Sequence, residues 1–352
     1  SGAGKSTLLS LLNGTENPDK GKILLNGIDI HKENKKVKGF IGFVSQDDLL
    51  IEELSVFQNL FYNAKLCFGT LSEEEIITKV NALLDDLGLL EIKDIIVGNS
   101  LNKKISGGQR KRLNFALELI REPLVLFVDE PTSGLSSRDS ENIMDLLKEL
   151  SLKGKLIFTV IHQPSSDIFK MFDKMLILDT GGYPIYYGNP VDSISYFKRA
   201  VSHVNAEQSS CPECGNVNPE QIFNIIETKV PDEYGNLTKV RKVTPKQWNE
   251  LYNKEFSNVS DIKEASYSGT IIQNVFKKAN KIKQFLVFTT RDVLSKLSNT
   301  QYLLITFLEA PLLAFILAYL VKYSEAGEYV FKKNDNIPAY IFMSVIVALF
   351  MG

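Results

Sequence analysis

The chain has 352 residues, enough for two domains or one large domain with an appendage. Its 44% hydrophobic and 23% charged residues are those of a globular protein, and a net charge of −2 removes any electrostatic reason to expect nucleic acid as a partner. Three cysteines exclude a disulfide framework and point to a reducing compartment. Ser1 opens the chain with no initiator methionine or signal peptide, and Gly352 closes it inside an apolar run, so it reads as a portion of a longer protein.

Ser1-Gly2-Ala3-Gly4-Lys5-Ser6-Thr7 is the back half of a G-x-x-x-x-G-K-[ST] loop, whose first glycine would precede Ser1. Gly2 and Gly4 let the backbone curl so that successive N–H groups face an anion. Leu8-Leu9-Ser10-Leu11-Leu12 reads as a helix with its positive end towards that anion. Lys5 can neutralise β- and γ-phosphates, and the Ser6 hydroxyl can ligate Mg²⁺. The competing reading is a Gly/Ser turn before a helix. Gln46 follows a short apolar strand in Phe43-Val44-Ser45-Gln46-Asp47-Asp48, and can touch Mg²⁺ and an attacking water.

Ile105-Ser106-Gly107-Gly108-Gln109 heads a helical stretch from Arg110 to Arg121, closed by Pro123. A hydroxyl, bare N–H groups and a helix N-terminus make a second phosphate-binding surface, and one nucleotide needs only one loop. That surface therefore predicts an ATP held by another subunit, in a head-to-tail sandwich. An ordinary Ser/Gly N-cap is the alternative. Leu124-Val125-Leu126-Phe127-Val128 reads as a buried parallel strand ending in Asp129-Glu130. Asp129 can hold Mg²⁺ and Glu130 can orient and deprotonate water; two solvated carboxylates at a strand end are the alternative. His162 follows the strand Leu156 to Ile161 and can contact the γ-phosphate; a lone strand-end Gln or His is more often structural, and it is the set that lifts both.

The order Gly4-Lys5-Ser6, Gln46, Ser106-Gly107-Gly108-Gln109, Asp129-Glu130, His162 resembles an ATP-binding cassette (ABC) domain, over residues 1 to about 200. The runs Ser106 to Arg112, Asp129 to Leu135, and Ile161-His162-Gln163-Pro164-Ser165 resemble the G (White) subfamily in particular, as does Cys211-Pro212 followed by Asn218-Pro219 and Phe223. Two departures are Ile105 where leucine is usual, and Ser136 where the family usually has aspartate in a loop that normally communicates across the dimer. The resemblance implies a P-loop NTPase of α/β class: a mixed sheet core plus a helical signature subdomain, then an amphipathic helix and α-helical transmembrane segments. It implies an ATPase using ATP and Mg²⁺, with Glu130, His162 and Gln46 catalytic. Residues 1–7 and 106–109 would be nucleotide-binding, and Ser6, Gln46 and Asp129 metal-binding. It further implies a half-transporter pairing with a second one, a homodimer by expectation, and the chain as given is expected to be inactive alone.

Beyond the cassette, residues 201–265 are polar and rich in turn formers, a linker or small subdomain. Cys211-Pro212-Glu213-Cys214 invites a zinc reading with His203 as a third ligand, but no fourth is evident, so a packed or reduced pair is preferred. Within 266–300, apolar residues recur at helical spacing from Ile271 (Ile272, Val275, Phe276, Ala279, Ile282, Phe285, Leu286) among Lys277, Lys278, Lys281 and Lys283. That is a basic amphipathic helix suited to the cytoplasmic membrane surface, or one packed on the cassette. Residues 301–352 begin a membrane domain, with spans over about 302–321 and 337–352. Glu309 should face other helices or the transport path, and Pro311 can kink its helix. The expected setting is an integral membrane protein with lipid contact and the cassette in the cytoplasm; the cargo is unreadable. Rival readings are a soluble ABC ATPase, with Arg110-Lys111-Arg112 enlisted for nucleic acid, or an ATP-binding membrane regulator without transport.

Overall fold

The structure is a computed structural model. It describes residues 2–99, 102–202, 205–211, 214–234, 236–256, 276–321 and 335–351. The expectations for Ser1, for His203 and Pro212, and for the 271–275 portion of the amphipathic segment lie outside these residues.

In chain order the described elements are α1 (Lys5–Leu12), β1 (Leu24–Leu25), β2 (Ile28–Asp29), α2 (Asn34–Val37), β3 (Ile41–Val44), α3 (Val56–Cys67), α4 (Glu73–Asp86), α5 (Gly107–Leu119), β4 (Val125–Asp129), α6 (Ser137–Leu152) and β5 (Leu156–Val160). There follow α7 (Ser166–Lys170), β6 (Met175–Asp179), β7 (Tyr183–Gly188), α8 (Pro190–Ala200), α9 (Glu220–Ile226), β8 (Lys229–Pro231), β9 (Leu237–Arg241), α10 (Pro245–Glu255), α11 (Lys281–Ser298), α12 (Thr300–Val321) and α13 (Ile337–Met351).

The continuous apolar run before Asp129 becomes β4, the middle strand of a parallel sheet ordered β3-β4-β5. Burial on both faces explains that composition. Leu126 and Val128 are wholly buried, and each such side chain contributes roughly 1.5–3 kcal/mol relative to exposure. The register aligns Val44 with Val128 and Asp129 with Val160, so the three strands deliver their carboxyl ends to one edge. On this sheet lies the main core, shared by α3, α4, α5 and α6. Serines start those helices: Ser55, Ser72 and Ser106 each close a reciprocal capping box with the Gln or Glu three residues on.

Residues on both sides of position 200 build a second core. Trp248 of α10 is fully buried against Phe197 of α8, at 5.2 Å between rings, and Tyr186, Tyr196 and Phe256 complete the aromatic group. Val217, Ile222, Ile226 and Trp248, from the stretch expected as linker or small subdomain, thus pack with Tyr186, Ile194 and Phe197. Cys211 and Cys214 form no disulfide, and Gly215 N–H donates to the Cys211 carbonyl at 2.8 Å.

The amphipathic segment departs from its sequence pattern in two ways. Helix starts only at Lys281, where Asn280 accepts from Lys283 N–H at 2.7 Å as N-cap. Before it the backbone pairs with the end of α3: Gly69 N–H donates to Lys277 O (2.7 Å) and Ala279 N–H to Leu66 O (3.2 Å). A Cβ on Gly69 would lie 2.8 Å from the Ala279 Cα, so this close approach requires glycine. The second departure is orientation. Val287 is buried, with Lys283, Gln284, Leu294 and Ser295 half-buried beside it, while Ile282, Phe285, Leu286 and Leu297 are exposed. The apolar face looks away from the cassette.

α12 and α13 coincide with the two expected spans. Among the described residues, however, no single helix is long and apolar enough to cross a membrane; α11 and α12 pass that test only as a pair bent by 78°. The bend falls at Asn299, whose ψ of 91° leaves the helical region, and Pro311 lies within α12. Glu309 is exposed on α12.

Candidate nucleotide site

The loop ahead of α1 has the shape an anion needs. Gly2 and Gly4 both adopt φ of 83°, the left-handed region that side chains resist, and no atom lies within 4 Å of where a Cβ would sit. Among the described residues no side chain caps α1, so its first N–H groups stay open. Leu9 is buried and anchors the helix, while Lys5, Ser6 and Thr7 in its first turn are exposed.

At the shared sheet edge, Ser45-Gln46 leave β3, Asp129-Glu130 end β4, and Ile161-His162 leave β5. Glu130 and Gln163 both hold positive φ (44° and 48°), conformations that cost non-glycine residues about 1–3 kcal/mol and cluster at functional sites. Glu130 N–H donates to Val160 O at 3.0 Å, which holds the strained residue onto β5. Glu130 and His162 then face one open cleft of ≈ 350 Å³, together with Ser133, Leu135 and Gln163. The Asp129 carboxyl is raised above its ordinary 3.8, first by burial and then by Glu130 beside it; Lys111 and Lys5 pull it back. Two carboxylates crowded at the end of a buried strand suit a cation better than bare water.

The signature segment is also an N-cap. Ser106 Oγ accepts from Gln109 N–H at 3.1 Å, and Gln109 Oε1 accepts from Ser106 N–H at 2.8 Å. The Ser106 hydroxyl proton remains to be donated, so capping and phosphate binding are compatible. Ile105, in leucine's usual place, is buried. Among the described residues no hydrogen bond or ion pair joins 106–109 to the loop at 2–7.

The soluble rival reading would leave Arg110-Lys111-Arg112 open to nucleic acid. Instead Arg110 pairs with Asp48 through Nε (2.5 Å) and Nη2 (3.1 Å), and its Nη1 donates to Gly98 O at 2.6 Å. Lys111 is 8% exposed and donates to Gln46 O at 3.0 Å. Burial lowers its pKa against the pull of Asp48, Asp129, Asp47 and Glu130. Glu53 was not singled out either. It accepts from Ser295 Oγ at 2.9 Å and from Asn299 Nδ2 at 3.2 Å, tying the segment after Gln46 to α11. No local sequence signal identifies Glu53, whereas Ser136 and Asp139 could have been read as a capping pair.

Residues 1–133 match the family model described as ABC transporter, and residues 162–284 match the one described as ABC-2 type transporter. ABC transporter G family member 26 of Arabidopsis thaliana is 40% identical over 200 residues, 56% of this chain and 28% of that protein. A probable ATP-dependent permease of Saccharomyces cerevisiae is 38% identical over 221 residues, 62% of this chain and 20% of that protein. The chain thus spans less than a third of the length of these relatives. The solved structure of cbiO1 from Clostridium perfringens, part of the ABC transporter complex cbiONQ, aligns with a TM-score of 0.49 at 29% identity, covering 58% of this chain and 81% of that one.

Proposed function

From the match of residues 1–133 to the ABC transporter model and of residues 162–284 to the ABC-2 type transporter model, we propose that the chain is the ATP-hydrolysing half of a G-type exporter, paired with a second copy in a membrane. The observation that carries this reading is the meeting of Glu130 and His162 in one cleft, at the sheet edge where Asp129 also ends its strand.

The residues divide the work as follows. Backbone N–H groups of residues 2–7 and the Lys5 ammonium bind and orient the phosphates. Ser6, Asp129 and Gln46 offer hydroxyl, carboxylate and amide oxygens, a hard donor set that fits Mg²⁺. Bound there, Mg²⁺ supplies charge neutralisation for the transferring phosphoryl group. Glu130 accepts the proton of the attacking water, and His162 donates to the γ-phosphate. Because, among the described residues, no hydrogen bond or ion pair joins 106–109 to the loop at 2–7, that segment is free to serve the ATP of the partner, and Ser106, Gly107, Gly108 and Gln109 close the partner's site.

Movement then leaves through Glu53 to Ser295 and Asn299 of α11, and from there into α12 across the bend at Asn299. The outward apolar face of α11, flanked by Lys278 and Lys281, suits a cytoplasmic lipid surface. The ABC-2 type match and the α11–α12 pair support an integral membrane setting with the cassette in the cytoplasm.

The experiment is Glu130→Gln in the full-length protein in lipid. Turnover should fall by roughly 10²-fold or more while ATP binding persists. Near-normal ATPase activity would overturn the assignment of the base, and an ATP-binding wild type without turnover would overturn hydrolysis itself.

A further inference from the structure

The signature helix of this chain is fastened to both arms of the chain's own hydrolytic site. On one arm, Lys111 donates to the carbonyls of Gln46 (3.0 Å) and Ser45 (3.4 Å). On the other, Asp139 at the start of α6 presses its carboxylate against Gly108: a Cβ there would lie 2.4 Å from Asp139 Oδ1. A Cβ on Gly107 would lie 3.4 Å from Leu135 Cδ2, so the loop that follows Glu130 lines the same helix end. Asp139 is itself held, because Ser136 Oγ donates to its Oδ2 at 2.8 Å and accepts from its N–H at 3.2 Å.

Gly107, Gly108 and Lys111 lie one turn apart on α5, and so share a face. A packed helix moves as a body, so displacement of its glycine end must carry the Gln46 carbonyl and the Asp139 carboxylate with it. Resting on the reading that each ATP lies between one subunit's loop and the other's signature segment, we propose that Lys111 and Asp139 are positioning residues that couple the two ATP sites within one subunit, through α5. Neither touches ATP. Lys111 reports the state of the signature end to Gln46, and Asp139 reports it to the loop carrying Glu130. Ser136 supplies the hydroxyl that fixes the Asp139 carboxylate one helical turn beyond the position where the family usually places its own.

The test uses full-length dimers in lipid, purified with one Glu130→Gln subunit and one intact subunit. In coupled sites the intact subunit cannot cycle alone, and the mixed dimer should run well below half the wild-type rate. With Lys111→Met or Asp139→Ala in both subunits, the mixed dimer should recover to about half the rate of the matching unmixed dimer, because the sites now act independently. Lys111→Met keeps the buried stem, Asp139→Ala keeps the N–H that Ser136 caps, and Lys111→Arg, which retains donors for the two carbonyls, should remain depressed. A merely structural role would lower all rates without restoring the mixed-to-unmixed ratio. An unchanged ratio in both variants overturns the inference, as does a wild-type mixed dimer already at half rate. Full activity in the dimer carrying Glu130→Gln twice overturns the assignment of Glu130 as the base, and a wild type that binds ATP without turnover overturns the ATPase reading instead.

Discussion

Arg110 holds Asp48 in a two-pronged ion pair, with Nε at 2.5 Å and Nη2 at 3.1 Å, and the side chains are 15% and 28% exposed. This pair bolts α5 to the loop that leaves β3. Two parallel donors on one carboxylate require the guanidinium fork. Arg110→Ala should therefore destabilise the cassette by about 2 kcal/mol, since a part-buried carboxylate loses its partner. Arg110→Lys should recover less than half of that, because one ammonium cannot replace the fork. Urea denaturation of the three proteins measures both, and equal stability of the lysine variant and wild type would show that charge alone matters.

Glu53 joins the site to α11 through Ser295 and Asn299. Glu53→Ala removes both acceptors without touching the groups assigned to ATP. ATPase activity should stay within about twofold of wild type, the range expected of a residue outside the reacting shell, while transport falls by roughly tenfold. Vesicle transport assayed beside ATP hydrolysis separates the two; parallel loss of both would remove Glu53 from the transmission path.

Ser106 caps α5 with the oxygen that the proposed function also assigns to the partner's phosphate. Ser106→Ala should cost about 1 kcal/mol of stability through the lost cap. Ser106→Asp restores a capping acceptor but brings negative charge to a phosphate site, so it should regain stability while ATPase activity stays lost. Thermal unfolding and turnover measured side by side check this. Normal turnover in the aspartate variant would leave the segment as a cap alone.

Burial pushes the Cys67 thiol up from 9.0 to about 11, with Arg121 pulling only weakly the other way. The folded state therefore keeps the proton that the unfolded chain releases. The resulting stabilisation is whole below pH 9 and is lost as pH rises from 9 towards 11. Cys67→Ala should flatten that part of the alkaline stability profile, in denaturation midpoints taken between pH 8 and 11. In native protein at pH 8, exposed Cys214 should alkylate well before Cys67.

What could be read without coordinates was whatever chemistry forces into a short contiguous stretch. A phosphate needs left-handed glycines immediately ahead of a helix, so Gly2, Gly4, Lys5 and Ser6 announce themselves. Two carboxylates at the end of a strand buried on both faces make the run from Leu124 to Glu130 equally plain. The limit of such reading shows at α11, where an apolar period of helical spacing begins before residue 276. Backbone pairing of Lys277 and Ala279 with Gly69 and Leu66 keeps residues 277–279 out of the helix. Helical periodicity states what a segment can do alone, and distant hydrogen-bond partners override it.

Only the tertiary structure decided how the pieces communicate. Arg110 and Asp48 lie 62 positions apart, and Glu53 and Ser295 lie 242 apart. No local propensity encodes either contact, because each depends on how whole elements pack. The same holds for Lys111, whose sequence setting between two arginines suggests a solvated face but whose ammonium is buried under the end of β3. The sequence by itself determined which residues form a glycine loop ahead of a helix and which stand where buried strands end, since those residues must be near neighbours or strand ends. Packing determined which of them are fastened together, because buried charges and orphan carbonyls find partners by proximity in space.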